Sequence, residues 1–183
     1  MEVKGTGLVS IRAYVKERHA AQYQNWVNTL PNSSRAVFGD VINTSGWFSI
    51  DQVYYTALKN IADLFYGGDQ KLAAYQVGLF SASYDLKGVY KVFLMIATPQ
   101  ALMKASKRII AMYYRPVDVI IDDVQKNSLV LSSTLLHPES EMVDYVNIAW
   151  CVRALELANC KSVSYEKIVP KYANMFSIRL SWG

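Results

Sequence analysis

The most constraining stretch of this chain is its end, where Phe176, Ile178, Leu180 and Trp182 alternate with Ser177, Arg179 and Ser181. That is the period-two pattern of a strand buried on one face only. The segment before it, residues 139–159, is apolar almost all round, with Asp144, Asn147, Arg153 and Glu156 pointing in several directions. A helix with no single wet face must be covered on more than one side. Working backwards, residues 117–124 and 128–136 pair as a hairpin across Gln125-Lys-Asn127, and residues 162–169 pair with 175–182 across the Pro170–Asn174 turn. Residues 117–183 therefore read as a ββαββ unit with an antiparallel sheet.

The first 116 residues carry helical spacing instead. Ile11, Tyr14, Val15, Tyr23, Trp26, Val27 and Leu30 predict a helix over 8–30, with Ser10 as cap, Pro31 as stop and a break near His19. Ala36-Val-Phe38 reads as a short helical turn, and Ser49 or Asp51 starts a helix to about residue 66. Gly67-Gly68 stops that helix and Asp69 caps the next, over 70–83. Further helices are predicted over 88–97 and, with Pro99 in its first turn, from 99 to 114. Pro116 ends the helical half. With 183 residues and no slack at Arg115-Pro116, the expectation is one α+β domain, a helical N-terminal half (1–116) packed on a C-terminal ββαββ antiparallel sheet (117–183).

Composition narrows the function classes. The net charge of +4 is too small to imply nucleic acid unless it is concentrated on one surface, and no reading helix or stacking platform is evident. The opening residues lack a secretory layout and no run approaches the ~18 apolar residues that span a bilayer. The expectation is a cytoplasmic protein without a transmembrane segment. Cys151 and Cys160, nine residues apart, fall on nearly opposite sides of one helix and read as two reduced thiols.

No catalytic constellation emerges. His19 reads as a solvated helix residue and His137 as part of the turn before Pro138. Asp122 and Asp123 point to opposite faces of a strand. Two distant histidines and two helix cysteines do not supply a zinc site. One distribution stands out between Leu86 and Pro116: Lys87, Lys91, Lys104, Lys107, Arg108 and Arg115, with no acidic residue among them. That patch suits an anionic partner surface.

The pattern as a whole resembles a superfamily containing haem nitric-oxide-binding sensor domains, 4-vinyl-reductase-like ligand domains and the small subunits of the Golgi tethering complex. The carriers are Tyr14-Val-Lys-Glu-Arg-His19 with Trp26, then Trp47-Phe-Ser-Ile50, Tyr75-Gln-Val-Gly78-Leu-Phe80 and the ββαββ ending in Phe176–Trp182. The nearest likeness is to an uncharacterised family of about this length, common in myxobacteria and related deltaproteobacteria. In the haem sensors a histidine on the helix before the sheet holds the iron, and a Tyr-x-Ser-x-Arg strand motif holds the propionates. The matching helix, from Pro99, has no histidine. The matching strand, Leu131-Ser-Ser-Thr-Leu135, keeps only the serine.

The resemblance thus implies a non-enzymatic signalling or ligand-binding domain without haem, metal or other cofactor, binding a small apolar molecule or lipid. The pocket it implies lies between the helical half and the sheet, with Phe80, Tyr84, Leu94, Met103, Tyr113, Leu131 and Trp150 as its lining. The alternative it leaves open is a homodimeric interaction scaffold or adaptor, for a small GTPase by analogy with the tether subunits.

Overall fold

The computed structural model describes residues 1–87 and 98–183. The chain starts with a short strand, β1 (Glu2–Lys4), followed by α1 (Gly5–Arg18), a 3₁₀ turn (Ala20–Gln22), α2 (Tyr23–Thr29) and α3 (Asn32–Phe38). Strand β2 (Trp47–Ser49) leads into a wide, π-type helical turn (Ile50–Tyr55) that continues as α4 (Thr56–Phe65). Then come α5 (Gln70–Asp85), α6 (Pro99–Tyr113) and a two-residue strand β3 (Tyr114–Arg115). The C-terminal part is β4 (Val119–Asp122), β5 (Ser128–Thr134), α7 (Met142–Leu157), β6 (Ser164–Lys167) and β7 (Met175–Ser181).

Local chemistry explains most of these boundaries. Ser49, Asp69 and Thr98 each cap a helix, accepting hydrogen bonds from the amides of Gln52, Leu72 and Ala101 at 3.1, 2.9 and 3.2 Å. Gly67 and Gly68, at φ +59 and +87°, turn the chain out of α4 in a conformation that side chains resist. Pro99 occupies the start of α6, where its missing N–H costs nothing.

Some boundaries differ from the sequence expectation. The N-terminal helix breaks at His19, where the charged run suggests, but its first part begins at Gly5 rather than at a Ser10 cap. Ser10 lies inside α1, where its hydroxyl donates to the carbonyl of Gly7 at 3.1 Å. The helix expected over 139–159 starts at Met142, because residues 137–141 form the turn that carries His137. It ends at Leu157, so Cys160 lies past it while Cys151 lies within, and both thiols are free. The predicted helix over 88–97 lies outside the described residues.

The C-terminal unit is the expected ββαββ, an α+β arrangement with antiparallel strands in the order β4-β5-β7-β6. Register puts Leu129, Leu131 and Ser133 opposite Leu180, Ile178 and Phe176. These largely apolar positions form the face that meets α7, where the rings of Phe176 and Tyr145 lie edge to face at 5.6 Å. On the alternate register positions Ser132 and Ser177 share a hydrogen bond of 2.7 Å, which satisfies two buried hydroxyls. A second sheet, β2-β1-β3, joins the amino terminus to residues far along the chain. Helix α7 is buried along nearly its whole length between the C-terminal sheet and α5, as its lack of a wet face requires.

Candidate functional site

Several polar side chains gather around a small, mostly apolar space where α1, α5, α6 and α7 meet β3. Gly7 on α1 lets the ring of Tyr113 approach: a Cβ at that position would stand 3.3 Å from the ring. Behind it is a cavity of about 40 Å³, lined among others by Asp85, Ser106, Tyr113, Asn147, Trp150 and Cys151. At ~10–15 Å³ per water on this measure, the space fits about three waters or a molecule of a few heavy atoms.

The polar groups around it are tied down unevenly. The Trp150 indole N–H donates to Asp85 at 3.3 Å. Burial outweighs that bond and pushes the Asp85 carboxyl up to about 6. Burial likewise pushes the Cys151 thiol up to about 12, partly opposed by Ser106, so the sulfur stays protonated and is a poor nucleophile. The hydroxyls of Tyr54 and Tyr114 face each other at 3.3 Å, and burial raises both well above the usual phenol range. The side-chain nitrogen of Asn147 is buried without a hydrogen-bond partner. Such an orphan donor at a cavity wall suits a ligand or water that accepts a hydrogen bond.

Of the residues proposed from sequence, Tyr113 and Trp150 line this cavity. Met103 (0% exposed) and Leu131 (5% exposed) belong to the packed core and are not among its walls. Phe80 and Tyr84 stack on each other at 5.9 Å elsewhere on α5, and Phe80 lines a different cleft. Leu94 lies outside the described residues. This cavity lies among the helices and β3, with no residue of the C-terminal sheet in its lining. Asp85 and Ser106 are absent from the sequence reading and Asn147 enters it only as one polar residue among several, since isolated polar residues on apolar helices carry no spacing signal.

The basic patch also sorts itself. Lys104, Lys107 and Arg108 are exposed on α6, and Lys87 follows α5 with its ammonium 5.0 Å from the Tyr84 ring. Arg115 is not a free member: it pairs with Glu2 at 2.6 Å and lies over Trp47 at 4.1 Å, clamping the small sheet. Lys91 lies outside the described residues. Both histidines sit away from the cavity. His137, 4% exposed, bonds to Asp51 at 3.1 Å and stacks on Tyr55. His19 is not the solvated residue expected, because its ring stacks flat on Phe65 at 3.9 Å. Among the described residues no group of three or more His, Cys, Asp or Glu side chains gathers as a metal site, and no helix is long and apolar enough to cross a membrane.

No protein-family model matches the chain, and no curated protein matches its sequence. Solved structures do match its fold. The Fe(II) unliganded H-NOX protein from K. algicida superposes with a TM-score of 0.72 at 11% identity, covering 98% of this chain and 96% of that one. An H-NOX protein from S. oneidensis in the Fe(II)NO ligation state gives 0.70 at 10% identity, covering 98% and 99%. A single-substitution variant of Tt H-NOX gives 0.69 at 12% identity, covering 98% and 94%. The likeness spans both halves of the chain and is one of fold.

Proposed function

We propose that this chain is a non-enzymatic ligand-binding or signalling domain built on the scaffold of the haem nitric-oxide sensors but working without haem. The observation that carries the reading is this small cavity in the helical layer, lined by both the unpartnered side-chain nitrogen of Asn147 and an Asp85 carboxyl shifted toward neutrality. A partly satisfied buried network of this kind is costly for a mere core and useful to a ligand.

The residues present do not fit a haem. The sequence has two histidines, and neither lines this cavity: His137 is bonded to Asp51, and His19 stands at another cleft. Burial holds Cys151 and the two tyrosines near the cavity in their protonated forms. By the resemblance to the haem sensors, Leu131 and Leu135 take the places of the hydroxyl and guanidinium of the propionate clamp. The cavity is also far smaller than the ~300 Å³ at which pockets for drug-sized ligands begin. The ligand class this supports is a small, weakly polar molecule that accepts from Asn147, rather than an acyl chain.

The indole N–H of Trp150 is a built-in reporter, being one of four tryptophans and the one bonded to Asp85. When the protein is titrated with acetone, a four-heavy-atom acceptor, the Trp150 indole resonance is expected to shift saturably, and Ser106→Leu, which fills the cavity, is expected to abolish the shift while the fold is retained. No shift with acetone, or the same shift in the filled variant, contradicts the reading. The small cavity volume favours one rival, an interaction scaffold with a filled core. That rival gains if the Trp150 signal is inert and the protein elutes as a dimer.

A further inference from the structure

A second cleft shares no lining residue with the interior cavity, so its ligand is independent of the one offered to Asn147. It is an open space of about 490 Å³ between the end of α1, the turn after α4, α5 and α7. That lies within the ~300–1,000 Å³ typical of small-molecule sites. Two guanidinium groups face into it. Arg18 forms no ion pair among the described residues, and its guanidinium stands 5.9 Å from the centre of the Phe80 ring. Arg153 donates through Nε to Ser83 at 2.9 Å and through Nη1 to Glu156 at 2.9 Å. Those two bonds fix the plane of its fork and leave Nη2 with no bond among the described residues.

Apart from Glu156 the rest of the cleft is uncharged, its rings Tyr14, His19, Tyr66 and Phe80 interspersed with Gln76, Leu79 and Ser83. Phe80 meets Tyr14 edge to face at 5.4 Å, and the Tyr14 hydroxyl is paired with that of Tyr66. The His19 ring is held flat on Phe65, with its Nε2 buried and unpartnered. Two arginines against one glutamate leave one net positive charge, next to a hydrophobic wall and one spare imidazole nitrogen.

We propose that this cleft is a binding site for a small oxyanion with a flat apolar body, of the aromatic carboxylate class, its anionic end held by Arg18 and Arg153 Nη2 and its ring against Phe80. The fork geometry of guanidinium matches the two oxygens of a carboxylate, and the ring face gives the body a place that water fills poorly. Glu156 keeps Nη1 occupied, which limits the site to one anionic group.

Benzoate, its uncharged isostere benzamide and inorganic phosphate separate the parts of this assignment when titrated by calorimetry at low and high salt. Benzoate is expected to bind at least about tenfold more tightly than benzamide, more weakly at high salt, with the imidazole pKa of His19 rising in the complex because a nearby anion favours the protonated ring. Arg18→Gln, at an exposed position without an ion pair, is expected to weaken benzoate about tenfold, and Arg153→Gln likewise, while Lys107→Gln on α6 leaves it unchanged. The Trp150 indole signal is expected to stay still, which keeps this site distinct from the interior one. Equal binding of benzoate and benzamide, no binding of benzoate, or an unaffected Arg18→Gln variant would overturn the proposal. Phosphate binding as tightly as benzoate would overturn the role given to the aromatic wall.

Discussion

Asp144, in the first turn of α7, is 1% exposed and neither of its oxygens has a hydrogen-bond partner. Burial pushes its carboxyl up to about 8 against a starting value of 3.8. Nearby amides of Leu136 and Asp144 itself oppose the rise, Glu141 adds to it, and Lys167, bound to Glu141 at 2.5 Å, pulls against it. The folded protein therefore keeps this acid neutral at pH 7 while the unfolded chain ionises it. Because the folded pKa is raised, the group's contribution to stability falls as pH climbs from about 4 to about 8 and then levels off. Asp85 acts in the same direction over a narrower window ending near 6. Asp144→Asn removes the larger effect. Between pH 5 and pH 8 the parent protein is expected to lose on the order of 3 kcal/mol relative to this variant, read from urea melts at both pH values. Parallel pH profiles for the two proteins would refute the assignment. The sequence shows Asp144 only as one of several polar residues on an apolar helix. Its burial comes from the packing of α7 against α5 and the C-terminal sheet, which nothing at position 144 itself signals.

At the scale of elements, the pair α5 and α7 forms the centre of the molecule, and Gly78 sets how closely they approach. A Cβ at position 78 would lie 2.3 Å from the carbonyl oxygen of Val146 and 2.6 Å from the Cβ of Ala149. Backbone cannot yield as a flexible side chain does, so the helices would have to separate. Gly78→Ala is expected to destabilise the protein by about 2–3 kcal/mol despite the better helix propensity of alanine, with a lower denaturation midpoint. An unchanged midpoint would mean that the helices are not in such close contact. The ββαββ unit is legible in the sequence because seven alternating residues in β7 and a hairpin beside them announce their own pairing. The sheet β2-β1-β3 is not. Its strands have only two or three residues, too few to alternate, and pair the amino terminus with residues 47–49 and 114–115. The break at His19 is signalled by the charged run Lys16-Glu-Arg, but the stacking of His19 on Phe65 is not, since it joins segments far apart in the chain.

For the molecule as a whole, the spacing of helices and strands carried the resemblance to haem sensors, and the superposition over nearly the full chain agrees with it at the level of fold. The sites were less legible. Tyr113 and Trp150 stood out as large rings, yet the cavity they line is completed by small or polar residues drawn from α1, α5, α6 and α7. The second cleft combines Arg18 and Arg153, which lie at opposite ends of the chain and follow no common motif. The claim that joins these findings is that the scaffold holds its ligands without iron. Titration of the purified protein with haemin, followed in the visible spectrum, tests it directly. The account predicts a spectrum that stays the sum of free haemin and protein. A sharp, saturating Soret band at one haem per chain would contradict it.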